Sequence, residues 1–150
     1  MKRFHFNLRP VSVIRTHREM RARDAFASAV HLYVEAEEKL ARVRERKAEF
    51  EAALFAGRRG RFHAAGEAQS LAAYRRECLE EVETERAVFA ARALMHERRA
   101  EYLEAHRKLE VVKRLETKAR AAHRLAANRE EQAEYDEFAG RAAHRSLSPV

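Results

Sequence analysis

The sequence predicts an all-α protein: a long two-helix antiparallel coiled-coil hairpin with an overhanging C-terminal helix. Three observations support this fold class. Charged residues make up 37% of the 150 residues, and only 4 Gly and 2 Pro are present, so turn signals are rare. The composition is dominated by Ala, Glu, Arg, Lys and Leu, which favour helices. Apolar residues recur in alternating steps of three and four, the spacing of a coiled-coil seam.

The first predicted helix covers about residues 10–56. Residues 1–9 alternate apolar and polar, which indicates an extended lead-in whose aromatic side chains pack on something, and Pro10 suits the first turn of a helix. Upstream of Ala22 the apolar residues keep no single register, so that end is expected to contact a partner or to splay. The seam of this helix is Phe26, Ala29, Tyr33, Ala36, Leu40, Val43, Lys47, Phe50 and Leu54.

Residues 57–66 hold three of the four glycines and are predicted to form the hairpin turn. Gly57 suits the residue just after a helix C-terminus. Aromatic side chains gather near this tip, where they either cap the seam or face outward as anchors for a partner. These aromatic residues are Phe50, Phe55, Phe62 and Tyr74.

The second predicted helix covers about residues 67–145, with all of residues 1–150 in a single coiled-coil domain. A second apolar stripe, with Val88, Met95, Tyr102 and Leu109, runs beside its seam. After Leu109 the apolar positions shift, which predicts a change of register. The predicted seam is Leu79, Val82, Arg86, Phe89, Ala93, His96, Ala100 and Leu103, and the shifted positions are Val112, Leu115, Ala119, Ala122 and Ala126.

The two helices differ in length. At 1.5 Å per residue, the first helix spans roughly 70 Å and the second roughly 110 Å. Folded back from the turn, the second helix passes the start of the first near residues 111–113. About thirty residues then overhang without a partner in the same chain. Because an isolated, charged helix is only marginally stable in water, this end is expected to dock into another protein.

The formal net charge is +7, which fits nucleic acid, an anionic membrane surface or an acidic protein as a partner. No nucleic-acid-binding module is present, so no nucleic-acid partner is predicted. The basic N-terminal end could contact a membrane surface. A single cysteine, Cys78, excludes an intrachain disulfide. No apolar run has transmembrane length and no apolar segment follows the first basic residues, so a cytoplasmic protein is expected.

Catalytic chemistry finds little support. The eight histidines are scattered, and no pair has metal-ligand spacing backed by a third ligand. The glycine-rich turn lacks the Gly-Lys-Ser/Thr ending of a phosphate-binding loop. The sequence therefore predicts a protein that is not an enzyme and uses no cofactor and no metal.

Two terminal motifs resemble the FliJ family, cytoplasmic components of the bacterial flagellar type III export apparatus. The first is Phe4-x-Phe6-x-Leu8-x-Pro10-Val11. The second is Asn128-Arg129-Glu-Glu-Gln132-x-x-x-Asp136-Glu137-Phe138-Ala139-x-Arg141-Ala142-Ala143, and the common string Ala36-Glu37-Glu38-x-Leu40 lies between them. Ala133 departs from the family pattern, since a basic residue is frequent there.

The resemblance implies a stalk that enters the hexameric flagellar export ATPase, promotes its assembly and activity, and contacts the export gate protein FlhA. It also implies coupling of the proton-motive force to export, escort of export chaperones, and a peripheral location on the cytoplasmic face of the inner membrane at the flagellar base. The implied ATPase-binding residues are Arg129, Gln132, Asp136, Glu137 and Arg141. The implied gate-binding residues are Val43, Phe50, Tyr74 and Leu79.

Two other readings stay open at this point. One is the equivalent stalk of a virulence-type type III secretion system. The other is a basic coiled coil that binds nucleic acid or a membrane surface, for which strongly salt-dependent binding is expected.

Overall fold

The chain is an all-α helical hairpin in a computed structural model that describes residues 3–60 and 63–146, with side chains as far as Ala142. Two long helices pack against each other, α1 from Arg9 to Arg59 and α2 from Ala64 to Ser146. Helix accounts for 94% of the described residues, and no strand occurs among them. The predicted all-α class is confirmed.

The turn is shorter than the glycines predicted. α1 continues through Gly57 to Arg59, and α2 already includes Gly66. No glycine in the described ranges has a positive φ, so the prediction that Gly57 follows the helix end was wrong. Arg58 and Arg59 favour the extended helix, because cations in the last turn interact well with the helix dipole. Arg58 Nε also donates to Glu67 Oε1 at 3.1 Å, which ties the end of α1 to the start of α2.

Contacts between Cα atoms divide the chain into two units. We call Met20–Glu104 the hairpin unit. We call Met1–Glu19 together with Ala105–Val150 the terminal unit. Each unit contains a part of both helices and is described separately below.

In the hairpin unit, the predicted seam of α1 is confirmed. Ala29 and Val43 are buried, and every other predicted seam residue from Phe26 to Leu54 is half-buried, whereas the residues immediately beside Val43 are exposed. The rings of Phe26 and Tyr102 stack across the two helices, with centroids 6.1 Å apart and planes inclined by 10°. The three-and-four spacing therefore identified the buried face of α1 correctly.

The predicted seam of α2 in the hairpin unit was wrong. Leu79 and Phe89, its largest apolar members together with Leu103, are 68% and 78% exposed. The buried and half-buried side of α2 includes the second apolar stripe, extended by polar residues at the same spacing. These seam residues are Glu77, Glu81, Thr84, Val88, Ala91, Met95, Arg98 and Tyr102. Two of its polar residues, Glu77 and Glu81, form ion pairs with α1.

In the terminal unit, Leu109 and Val112 of α2 are buried, and Glu116, Ala119 and His123 follow at the same spacing as half-buried residues. The predicted change of register after Leu109 was therefore wrong. The sequence suggested a shift because Leu115, Ala122 and Ala126 are apolar, but these residues are exposed. The seam keeps its spacing through the polar residues Glu116 and His123 instead.

The start of α1 in the terminal unit also packs through polar residues. Arg15 Nη1 donates to the carbonyl oxygen of Lys108 at 2.7 Å, and Glu19, 8% exposed, lies 3.4 Å from His106 Nδ1. The apolar Val13 and Ile14 are more than half exposed. The loss of an apolar register at this end therefore reflects a polar seam.

Candidate functional site

In the terminal unit, the non-helical N-terminal segment, residues 3–8, packs along α2 beyond the start of α1. The Phe4 ring meets the His123 ring edge-on, with centroids 5.5 Å apart and planes at 71°. The Arg120 guanidinium lies 5.5 Å from the centroid of the Phe4 ring. Both geometries are favourable for an aromatic ring. The prediction that the lead-in packs its aromatic residues is confirmed for Phe4.

The overhang is consequently shorter than predicted. An extended chain covers about 3.3 Å per residue, more than twice the rise of a helix, so the few residues before the turn at residues 7–8 reach along α2 as far as His123. The segment and α2 together line a groove of about 460 Å³ that is open to solvent. Its lining residues are Arg3, His5, His123, Ala126, Ala127, Glu130, Glu131 and Glu134. The first half of the expected thirty-residue overhang therefore does have a partner in its own chain.

Beyond Ala127 every described residue is exposed, although Glu130, Glu131 and Glu134 also line the groove beside the N-terminal segment. Every residue from 128 to 142, which we call the exposed rod, has an exposed side chain. Its five acidic residues outnumber its two arginines, although the whole chain is basic. Tyr135 and Phe138 are 71% and 73% exposed, so aromatic surface is available to another molecule. This rod is the candidate functional site.

The five residues implied to bind the ATPase all lie in the exposed rod and are all exposed. Arg129, Gln132 and Asp136 share one face of the helix because their spacing is three and four residues. Gln132 Nε2 lies 3.5 Å from Asp136 Oδ1. Glu137 and Arg141 lie on a neighbouring face and form an i,i+4 ion pair at 2.9 Å. Arg129 forms no salt bridge among the described residues.

The four residues implied to bind the export gate all lie in the hairpin unit, and the structure does not bring them onto one open surface. Val43 is completely buried, Phe50 and Tyr74 are half-buried, and Leu79 is exposed outside the seam. A hydrogen bond to Cys78 raises the pKa of the Tyr74 hydroxyl, and the Glu51 carboxylate adds to that shift. Only part of this set offers side-chain surface to a partner.

The aromatic residues near the tip divide between the two roles that the sequence left open. Phe50 and Tyr74 are half-buried at the end of the seam, whereas Phe55 is 65% exposed. Phe62 lies outside the described residues. Among Phe50, Phe55 and Tyr74, Phe55 therefore has the most surface for a partner.

An ion-pair cluster between the helices of the hairpin unit was missed by sequence reasoning. Lys47 Nζ and Arg44 Nε both donate to Glu81, at 2.6 Å and 3.0 Å. Further contacts join Arg44 to Glu85, at 2.7 Å, and Arg46 to both Glu77 and Glu80, at 3.2 Å and 3.1 Å. The sequence feature that could have revealed this cluster is the four-residue spacing of Glu77, Glu81 and Glu85. It places three carboxylates on one side of α2.

These contacts shift the pKa values of the cluster. The hydrogen bond from Lys47, followed by that from Arg44, holds the pKa of Glu81 below its ordinary value. The same hydrogen bond raises the pKa of Lys47. Both groups are therefore stabilised in their charged forms.

The basic N-terminal residues do not all face solvent. Arg15 is half-buried, whereas Arg9, Arg18, Arg21 and Arg23 are exposed. Neither helix, over its described length, is long and apolar enough to cross a membrane. The described part of the chain also contains no group of three or more His, Cys, Asp or Glu placed to hold a metal ion.

Comparison with known proteins gives a family assignment. Residues 4–148 match the family described as Flagellar FliJ protein. No curated protein and no solved structure matches the chain. The family match covers both terminal motifs, the hairpin and the exposed rod, and it makes the chain part of a flagellar export system. The chain belongs to the FliJ family of flagellar export proteins.

Proposed function

We propose that this protein is the central stalk of the flagellar export ATPase ring and couples that ring to the membrane export gate. The observation that supports the stalk role most directly is the exposed rod. Fifteen consecutive residues have exposed side chains on every face of one helix. A helix of this kind is marginal alone and gains stability when a surrounding partner supplies contacts.

The chemistry of the rod fits a ring that holds it loosely. Charged and amide groups, with two exposed aromatic residues, make contacts that can be exchanged, whereas a continuous apolar stripe would form a permanent interface. The excess of carboxylates suits a ring lined with basic residues. We assign the ring contacts to Arg129, Gln132, Asp136, Glu137 and Arg141.

The test is stimulation of the export ATPase by the full chain and by a chain that ends at Ala127. The truncated chain keeps the seam contacts from Phe4–His123 to Arg58–Glu67, so its helix content per residue is expected to match that of the full chain. Its stimulation is expected to be lost. Full stimulation by the truncated chain contradicts the stalk role.

A charge-reversal variant sharpens this test. Asp136→Lys combined with Glu137→Lys reverses two exposed carboxylates of the rod without touching the seam. The matched control is Glu45→Lys combined with Glu49→Lys, two exposed carboxylates of α1. We expect the rod variant to lose ATPase stimulation and the control to keep it.

Coupling to the export gate would use the hairpin unit. Leu79 is exposed, Tyr74 and Phe50 are half-buried and contribute part of their surface, and Val43 supports the helix pair from within the seam. Binding of the cytoplasmic part of FlhA is expected to weaken with Tyr74→Ala. Unchanged binding by Tyr74→Ala and Leu79→Ala together removes the gate assignment and leaves the stalk role standing.

The same rod would serve the equivalent stalk of a virulence-type secretion system. Parallel assays with a flagellar ATPase and a virulence-type ATPase distinguish the two export systems, and stimulation of the flagellar enzyme is expected.

Non-catalytic action is also part of the proposal, since the family is a non-catalytic component of the export apparatus. We place the protein in the cytoplasm, in peripheral contact with the inner membrane at the flagellar base.

A further inference from the structure

The charged side chains on the surface of the terminal unit change sign along α2. In residues 9–19 and 105–126, which we call the basic collar, every charged side chain that is exposed is a lysine or an arginine. The carboxylates of the collar belong to Glu19, Glu110 and Glu116, which are buried or half-buried. In the exposed rod that follows, carboxylates outnumber arginines. The dominant sign therefore reverses where the collar ends.

Most of the exposed collar cations have no carboxylate partner in the chain. Lys113 Nζ lies 3.4 Å from Glu110 Oε1 within α2. Arg120 Nη2 lies 2.9 Å from Glu116 Oε1, also within α2. Because the other like charges repel each other in the folded chain, an acidic partner would stabilise them. The exposed collar cations that form no salt bridge among the described residues are Arg9, Arg18, Arg107, Arg114, Lys118 and Arg124.

The collar cations cover more than one face of α2. Arg107, Arg114 and Lys118 are separated by seven and four residues, so they share one face of the helix. Lys113 and Arg120 are seven residues apart and share another face. A partner that meets one side of the helix leaves some of these charges unpaired. The distribution instead suits a partner that surrounds the shaft, as a ring does.

The rod and the α2 part of the collar lie on one continuous helix, so a ring that holds the rod meets the collar at its mouth. At 1.5 Å per residue, the midpoints of these two segments are about 30 Å apart. Deeper insertion would bring the collar cations towards the basic lining that suits the rod. Withdrawal would bring the rod carboxylates towards the mouth. Charges of opposite sign at the two levels therefore define one favoured depth of insertion.

We propose that the basic collar docks against a rim of Asp and Glu side chains at the mouth of the ring and thereby sets the depth to which the rod enters. The proposal rests on the stalk role, because the ring is the partner that it names. It adds a second contact of opposite charge, which truncation after Ala127 leaves in place. The two contacts have separable roles: the rod supplies stimulation, and the collar supplies affinity and depth.

The first experiment maps the contact by photo-cross-linking the full chain to the export ATPase. A photoreactive phenylalanine analogue replaces Leu115 in the collar, Tyr135 in the rod or Leu32 in α1 of the hairpin unit, three exposed positions. We expect the ATPase to be captured from the first two positions and not from Leu32. Mass spectrometry of the ATPase peptide captured from Leu115 is expected to show a surplus of Asp and Glu.

This experiment separates the collar from the stalk role. Capture from Tyr135 without capture from Leu115 overturns the collar proposal and leaves the stalk role standing. Capture from neither position contradicts both. A peptide captured from Leu115 that has a surplus of Lys and Arg also overturns the collar proposal, since the facing charges would then be alike.

The second experiment reverses the collar charge. Arg114→Glu combined with Lys118→Glu changes two exposed side chains of one face without touching the seam. We expect the concentration of the chain that gives half-maximal ATPase stimulation to rise at least about tenfold, while maximal stimulation is retained. The matched control is Arg86→Glu combined with Arg99→Glu, two exposed arginines of α2 in the hairpin unit, and it is expected to behave as the unchanged chain does. Equal half-maximal concentrations in the two variants overturn the proposal.

A neutral variant removes the same charges without adding carboxylates. Arg114→Gln combined with Lys118→Gln is expected to keep the helix content of the unchanged chain, as measured by circular dichroism. Its half-maximal concentration is expected to lie between those of the unchanged chain and the charge-reversed variant. A value equal to that of the unchanged chain contradicts the charge argument.

Anionic lipid and nucleic acid are the other partners that a basic collar could bind. Vesicles of phosphatidylethanolamine with a minority of phosphatidylglycerol, and duplex DNA, are each titrated with the unchanged chain and with the charge-reversed variant. We expect both proteins to behave alike with each probe at the salt concentration of the ATPase assay. Saturable binding that the variant loses overturns the proposal in favour of a lipid or nucleic-acid partner.

Discussion

Lys47 Nζ donates a hydrogen bond of 2.6 Å to Glu81 Oε2 across the two helices of the hairpin unit. Lys47 is the charged member of the α1 seam between Phe26 and Leu54, and Glu81 occupies the seam of α2. Their side chains are only 29% and 17% exposed. A lysine that interrupts the apolar pattern of one helix is therefore matched by a carboxylate in the other.

The first prediction concerns the coupling of this pair. Glu81→Leu is expected to lower Tm, because it leaves Lys47 half-buried without its carboxylate. Combining Lys47→Met with Glu81→Leu is expected to recover much of that loss, because both charges leave the seam together. Thermal unfolding followed by circular dichroism measures both effects.

Glu137→Leu is the control for this pair, since it removes a carboxylate from the exposed Glu137–Arg141 pair and is expected to leave Tm almost unchanged. A double variant that is no more stable than Glu81→Leu would show that the two side chains act independently.

The second prediction concerns pH. The pKa of Glu81 lies below its ordinary value of 4.5, so the unfolded chain binds this proton more readily than the folded chain does. The stability from Glu81 is complete above the ordinary value and is lost as pH falls through the lowered folded pKa. Tm is therefore expected to decrease from neutral pH into this acid range.

Glu81→Gln removes the titrating group and is expected to flatten that decrease. Glu83→Gln, at an exposed position of the same helix, is expected to follow the unchanged chain. Equal acid sensitivity in all three proteins would show that other carboxylates dominate the acid response.

The third prediction concerns the core. Val43 is completely buried, and Val43→Ala is expected to lower the free energy of unfolding by about 2 kcal/mol through lost apolar contact and a cavity. Val34, on the same helix, is 43% exposed. Val34→Ala is expected to change the free energy of unfolding by less than about 0.5 kcal/mol. Urea unfolding of the two variants gives the comparison, and similar losses would contradict the placement of Val43.

The fourth prediction concerns the N-terminal segment. Phe4→Ala removes the contacts with His123 and Arg120, so residues 3–8 are expected to open more often. Chymotryptic cleavage after Phe6 is expected to accelerate several-fold, whereas the helix content is expected to stay the same. Leu8→Ala, at an exposed position, serves as the control. Equal cleavage rates in both variants would show that Phe4 does not hold the segment.

Much of the architecture was predictable because it depends on spacing and on rare turn residues. The seam of α1 follows from apolar residues between Phe26 and Leu54, with one charged exception. The two helices follow from the scarcity of Gly and Pro. The exposed state of Arg129, Gln132 and Asp136 was implied by the family resemblance, and the structure places all three on the rod.

The seam of α2 could not be found by ranking apolar residues. Leu79 and Phe89 are more apolar than Glu81 and Thr84, and yet the latter two face the seam. The burial of Glu81 is explained by its ion pairs with α1, which only knowledge of the opposing residues reveals, whereas the Thr84 hydroxyl donates to backbone carbonyl oxygens of its own helix. The packing of the N-terminal segment on α2 was missed for a related reason. Phe4 was expected to pack, but no sequence pattern identified His123 as its neighbour.

The scarcity of buried apolar side chains has a calorimetric consequence. In the described ranges the hydrophobic residues classed as buried are Ala29, Val43, Leu109 and Val112. Unfolding therefore exposes little new hydrocarbon per residue to water, and the heat capacity increment should be small for a protein of this size. The free energy of unfolding is therefore expected to vary little with temperature and to change little on cooling. The calorimetric unfolding endotherm is expected to be broad.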